Sequence, residues 1–126
     1  MTQPTAQPAI RTVAMPADTN SNGDIFGGWL LAQMDLAGGL LAIRRAQGRV
    51  ATIAVESMKF IRPVSVGDEV SLYAEIRKIG RTSMNISIEA WRRPRDATEM
   101  EKVTEAIFVF VAIGEDRRPR PVPPEA

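Results

Sequence analysis

Gly28-Trp29-Leu30-Leu31-Ala32-Gln33-Met34-Asp35-Leu36-Ala37-Gly38-Gly39-Leu40-Leu41-Ala42-Ile43-Arg44-Arg45 is the stretch that decides the fold. It contains no Pro, and Gly48 follows closely, so it predicts a helix over 28–45 that ends near Gly48. Trp29, Leu30, Leu31, Met34, Leu36, Leu40, Leu41 and Ile43 spread nearly all the way round such a helix, so burial on most sides is expected. The run is too short to span a bilayer and is broken by Gln33, Asp35, Gly38 and Gly39.

Strands follow the helix. Residues 52–61 form the first, stopped by Pro63. Over 69–79, Val70, Leu72, Ala74 and Ile76 alternate with Ser71, Tyr73, Glu75 and Arg77. Gly80-Arg81 signals a hairpin, and 82–91 alternates again, with Met84, Ile86, Ile88 and Ala90 on one side. A polar loop over 93–101 leads to 103–113, which is apolar on both faces around Phe108 and so suits a central strand. Residues 12–15 add an edge strand. One sheet with one helix lying across it gives an α+β fold, the sheet curled around a central helix. The second apolar face of 103–113 calls for a partner subunit.

The length of 126 residues fits one domain, over 10–116. Residues 1–9 read as a frayed leader without the basic and apolar regions of a signal peptide. Residues 117–126 carry four of the nine prolines and read as a Pro/Arg-rich tail, mobile or extended on the surface. The expected location is cytoplasmic. A net charge of +1 gives no global pull toward nucleic acid or an anionic membrane, and neither partner is expected.

The chain has no His and no Cys. That excludes Ser-His-Asp and Cys-His catalysis, HExxH zinc sites, thiolate nucleophiles and disulfides. Any free acid–base group must be Asp, Glu, Lys or Tyr.

Two features carry chemistry. The first is the loop Asp18-Thr19-Asn20-Ser21-Asn22-Gly23-Asp24, which leads into Gly27-Gly28. It matches the start of a calcium loop, but Trp29 stands where a bidentate Glu is required, and no metal is expected. Glycines at a helix start leave backbone N–H groups able to hold an anion or a developing oxyanion; plain capping is the other reading. The second is Asp35, the only ionisable residue between Trp29 and Ile43. A lone acid there is a candidate general base or nucleophile, or else a structural Asp bonded to a neighbouring loop or lying on a narrow exposed stripe. Gly28 and Asp35 are seven residues apart, about 10.5 Å of helical rise. If both act on one carbonyl, the site pairs Gly28 of one subunit with Asp35 of another.

The stretch from Ala14-Met15-Pro16-Ala17-Asp18-Thr19-Asn20 through Asp24-Ile25-Phe26-Gly27-Gly28-Trp29, with Gln33-Met34-Asp35, resembles the bacterial YciA-type acyl-CoA thioesterases of the hotdog superfamily. Val55-Glu56-Ser57-Met58, Phe60-Ile61-Arg62-Pro63-Val64, Gly80-Arg81-Thr82-Ser83 and Glu89-Ala90-Trp91 are similar as well. The resemblance implies a hotdog fold, dimers sharing one sheet, commonly built into hexamers as trimers of dimers, and hydrolysis of acyl-CoA to a free acid and coenzyme A. It implies that Asp35 is the catalytic base or nucleophile and that the Gly28 N–H polarises the thioester carbonyl. Asp24, at a position often Asn in related two-domain enzymes, would line the site from the partner subunit. Asn22, Gly27, Ser57 and Met58 are expected on the substrate, with Arg62, Arg81, Thr82 and Ser83 toward the phosphates of coenzyme A. No cofactor is implied beyond coenzyme A in the substrate.

Two other functions compete. Hotdog dehydratases typically rely on a catalytic His, which this chain lacks. A non-catalytic acyl-CoA-binding module needs the same pocket without a competent base, against which Asp35 argues.

Overall fold

A computed structural model describes residues 3–125. In chain order it contains β1 (Ile10–Val13), α1 (Gly27–Ala46), β2 (Val50–Phe60), β3 (Glu69–Ile79), β4 (Ser83–Arg93) and β5 (Glu101–Ala112), with a short 3-10 turn at Pro16–Asp18 before the helix. The strands form one antiparallel sheet in the order β1-β3-β4-β5-β2. β5 lies inside the sheet, as its apolar composition predicts. The edge strand begins two residues earlier than expected and stops before Pro16, which opens the turn.

Alternation explains how sheet and helix meet. Met84, Ile86, Ile88 and Ala90 of β4, with Phe108 and Phe110 of β5, are buried in the core beside Leu30, Met34, Ala37 and Gly38 of α1. Each large side chain buried this way is worth about 1.5–3 kcal/mol. Gly38 sets the closeness of approach. A Cβ there would lie 2.6 Å from Ile88 Cδ1 and 2.9 Å from Phe110 Cε1.

The helix departs from expectation in its exposure. Only one face is buried; Leu36 is 59% exposed, and Leu31, Leu40 and Ile43 are also exposed. A single sheet covers a single face, so the remaining apolar stripe is open in one chain. Beside it, β2 is the far edge of the sheet and exposes Ile53, Val55 and Phe60. Among the described residues, no helix is long and apolar enough to cross a membrane.

Parts of both terminal segments, within the described residues, are tied to the sheet and helix. The Ala9 N–H bonds Leu72 O at 2.8 Å, continuing the β1 edge. The described part of the tail, 117–125, lies extended but anchored. The Arg120 N–H bonds Ala112 O at 2.9 Å and the Val122 N–H bonds Arg81 O at 2.8 Å. The Arg120 guanidinium donates to Ala46 O at 2.8 Å and to Ile113 O at 3.0 Å. It therefore closes the C-terminal end of the helix, where unpaired carbonyls and the dipole favour a cation.

Candidate active site

Asp35 sits two turns into α1, on the side that meets the start of β2. Thr52 Oγ1 donates to its Oδ1 at 2.5 Å. Among the described residues no cation pairs with the carboxylate. One oxygen is thus oriented by a neutral hydroxyl, while the other has no protein donor and can accept from water or reach an electrophile. Gly28, Leu31, Ala32, Asp35, Thr52, Val55 and Phe108 line one groove of about 310 Å³ between helix and sheet. The carboxylate and the helix start share this groove, whose other walls are mostly apolar.

No side chain caps the helix N-terminus, and its N-cap residue is Phe26. The Trp29 N–H bonds Phe26 O at 3.1 Å, and the Gly27 and Gly28 N–H groups before it are left available to a ligand. The two glycines differ in their surroundings. A Cβ on Gly27 would stand 3.2 Å from the Phe60 ring, a tight contact that the ring would have to yield to by a few tenths of an ångström. A Cβ on Gly28 would meet only the Phe26 ring, at 3.4 Å and beyond. Packing within one chain does not require Gly28, and without a Cβ its backbone is open to close approach.

The loop before the helix is held by Asn20, whose Oδ1 accepts from the N–H groups of Asn22 (2.9 Å) and Asp24 (3.2 Å). The Asn20 N–H bonds Asp24 O at 2.7 Å, closing the turn. Asn22 and Asp24 are exposed on it and do not line the Asp35 groove of their own chain.

The remaining predicted residues disperse. Ser57 and Met58 occupy a bulge of β2, where the register against β5 slips between Glu56 and Lys59. Ser57 takes a left-handed φ of 54° and lines a cavity with Ser87 and Glu105, while Met58 packs against the core. Arg62 lines a second pocket, beside Gly27, and its guanidinium is engaged by Lys102 O at 2.9 Å and by Glu101 at 3.5 Å. Arg81, Thr82 and Ser83 lie at the far end of the molecule, where Arg81 O and Thr82 O accept from Val122 and Ala112. Within one chain they line neither the pocket at Gly27 nor the groove at Gly28.

Thr52 is the site residue that sequence reasoning missed. The run Thr52-Ile53-Ala54-Val55 does not alternate, and the register shifts between Thr52 and Ala54. No periodic signal marked its hydroxyl as facing the helix.

A sheet wrapped on one long helix, with an acid and an uncapped helix start in one groove, is the hotdog arrangement. The chain belongs to the thioesterase superfamily, whose family model matches residues 22–98. Within it, the chain is 51% identical over 123 residues to the acyl-CoA thioester hydrolase YciA of Salmonella typhimurium, covering 95% of this chain and 92% of the relative. A hexameric broad-specificity acyl-coenzyme A thioesterase, solved as an aspartate-to-alanine mutant, superposes with a TM-score of 0.89 at 49% identity, over 94% of this chain and 87% of the other. A hexameric thioesterase of Yersinia pestis gives a TM-score of 0.92 at 46% identity, over 98% of this chain and the whole of the other.

Proposed function

We propose that this protein hydrolyses the thioester of acyl-CoA to a carboxylic acid and coenzyme A, as the names of its relatives describe. The observation that carries this reading is Asp35, held by Thr52 in a groove whose rim is the uncapped helix start at Gly28.

The chemistry follows from charge. The carbonyl oxygen accepts from the Gly28 N–H, where the positive end of the helix dipole stabilises the oxyanion that forms. The Asp35 carboxylate takes a proton from water as the water oxygen bonds to the carbonyl carbon, or attacks that carbon itself to give a mixed anhydride that water then cleaves to the free acid and the restored carboxylate. The C–S bond breaks and the thiolate of coenzyme A leaves and is protonated. No metal or cofactor is required by this scheme. One carbonyl cannot touch both groups across about 10.5 Å of rise, so Gly28 of one protomer works with Asp35 of another. The open stripe of Leu36, Leu40 and Ile43 and the free edge of β2 support self-assembly, and hexameric relatives make the same assembly the expectation here.

The test is release of free thiol from a panel of acyl-CoA substrates by the wild type and by Asp35→Asn. Turnover near the wild-type level in a folded Asp35→Asn protein removes Asp35 from the mechanism. Binding without thiol release by the wild type leaves an acyl-CoA-binding module. Single turnover in ¹⁸O-labelled water separates the two roles of Asp35: label goes directly into the product acid for a base, and into the carboxylate for a nucleophile.

A further inference from the structure

We propose that the pocket between the start of α1 and the 60–64 segment holds the acyl chain of the substrate, and that the Phe60 ring sets the chain length accepted. This rests on the acyl-CoA reading above and deepens it.

The pocket has a volume of about 370 Å³. That lies near the lower end of small-molecule sites, which run from roughly 300 to 1,000 Å³. Its floor is Leu30, Val64 and Val103, all in the buried core. Phe60, 55% exposed, forms the outer wall, and Arg62 stands at its polar side.

Three features favour an acyl chain. The first is continuity: Gly27 lines this pocket and Gly28 lines the Asp35 groove. Adjacent Cα atoms are about 3.8 Å apart, so a carbonyl on the Gly28 N–H opens directly onto the pocket. The second is apolarity on the side opposite the helix start. The Ile25 N–H bonds Val64 O at 3.1 Å, the Ile61 N–H bonds Val103 O at 2.7 Å, and Arg92 Nη1 donates to Pro63 O at 2.5 Å. The wall segments thus spend their backbone groups on each other and leave side-chain carbon facing inward. Those same bonds hold the pocket open without a ligand, which lowers the ordering cost of binding. The third is the contact between Gly27 and Phe60. Because a Cβ on Gly27 would stand 3.2 Å from the ring, the absence of that atom lets the ring lie close over the helix start. The ring is otherwise exposed, so its size can change without disturbing the core.

The experiment compares kcat/KM for acyl-CoA substrates of increasing chain length in the wild type and in Phe60→Ala, with oligomeric state followed by light scattering. Phe60→Ala is expected to change the ratio between long and short substrates by about tenfold or more, the scale on which apolar pockets discriminate by methylenes. Phe60 ends the exposed β2 edge, so light scattering follows the assembly alongside the length profile. Retained turnover with an unchanged length profile overturns the proposal and leaves the catalytic reading standing. An unchanged profile with altered assembly also overturns it, and gives the pocket to an apolar side chain of a second copy. A calorimetric arm uses Asp35→Asn, so that substrate persists. Affinity should rise about fourfold for each methylene until the pocket fills, and the plateau should move in Asp35→Asn/Phe60→Ala. If that holds while the wild type releases no thiol, the pocket assignment survives and the catalytic one falls. Affinity independent of chain length overturns the pocket assignment.

Discussion

Thr52, on the edge strand β2, donates its hydroxyl to Asp35 of the central helix at 2.5 Å. The bond ties the acid to the sheet and fixes which oxygen is free. Replacing Asp35 by Asn should leave the fold intact and lower thiol release by about 10²–10⁴-fold, the usual contribution of a positioned acid–base group. Thr52→Val should lower kcat by about tenfold with KM nearly unchanged, the size of a lost hydrogen bond to a charged group. Thr52→Ser should restore kcat. A Val variant with wild-type kcat removes the positioning role.

Gly28 and Gly38 should respond oppositely to alanine. At Gly28 the added Cβ meets only the Phe26 ring, and alanine favours a helix by up to about 1 kcal/mol over glycine. The variant should melt no lower than the wild type while losing turnover. At Gly38 the Cβ would intrude on Ile88 and Phe110, and overpacking of this kind costs about 1–3 kcal/mol. Thermal denaturation and thiol release measured side by side separate the two effects. A Gly28→Ala protein with full activity removes the oxyanion assignment.

Arg120→Ala should free the tail. Its guanidinium serves two carbonyls, one at the end of the helix and one just past β5. Loss of those charge-assisted bonds should cost about 1–3 kcal/mol. Hydrogen exchange should accelerate at the Val122 amide, which pairs with Arg81 O. Unchanged protection there means the backbone pairing alone holds the tail.

Ser57 holds a left-handed φ of 54° within the β2 bulge. A side chain in that region costs about 1–2 kcal/mol, which glycine avoids. Ser57→Gly should therefore raise the denaturant midpoint without changing the slope. A lower midpoint shows that the hydroxyl contributes more than the backbone loses.

Leu36→Glu with Leu40→Glu places charge on the open helix stripe. Neither side chain is in the core of one chain, so the protomer should keep its secondary structure by circular dichroism. Its mass in solution should fall from that of an oligomer toward a monomer, with loss of thiol release if the site spans two protomers. An unchanged assembly means that the stripe is not the interface.

The long helix, the two alternating strands and the central place of β5 were legible because periodicity is local. Each follows from residues within a dozen positions of one another, and the observed bounds differ by about two residues, within the usual fraying of element ends. Asp35 was legible for a related reason: a charge alone among apolar residues stands out in any conformation. Thr52 was not, because its strand lacks alternation and its role depends on which way a bulged edge faces. Arg120 read as part of a loose tail because Pro-rich composition describes a segment's own preferences and not the carbonyls waiting at the end of a helix far away in sequence. The helix was expected to be buried on most sides, and its apolar composition does require that, but one sheet supplies cover for only one face.

The sequence by itself determined the elements and the family, and it excluded imidazole and thiol chemistry, since the chain has no His and no Cys. Only the tertiary structure decided which hydroxyl holds the Asp35 carboxylate, which side chains crowd Gly27 and Gly38, and where the apolar pocket lies. The reason is physical. Propensity and periodicity act along the chain, whereas the distance between Asp35 and Thr52, or between Gly27 and Phe60, is set by how closely Gly38 lets the helix settle on the sheet.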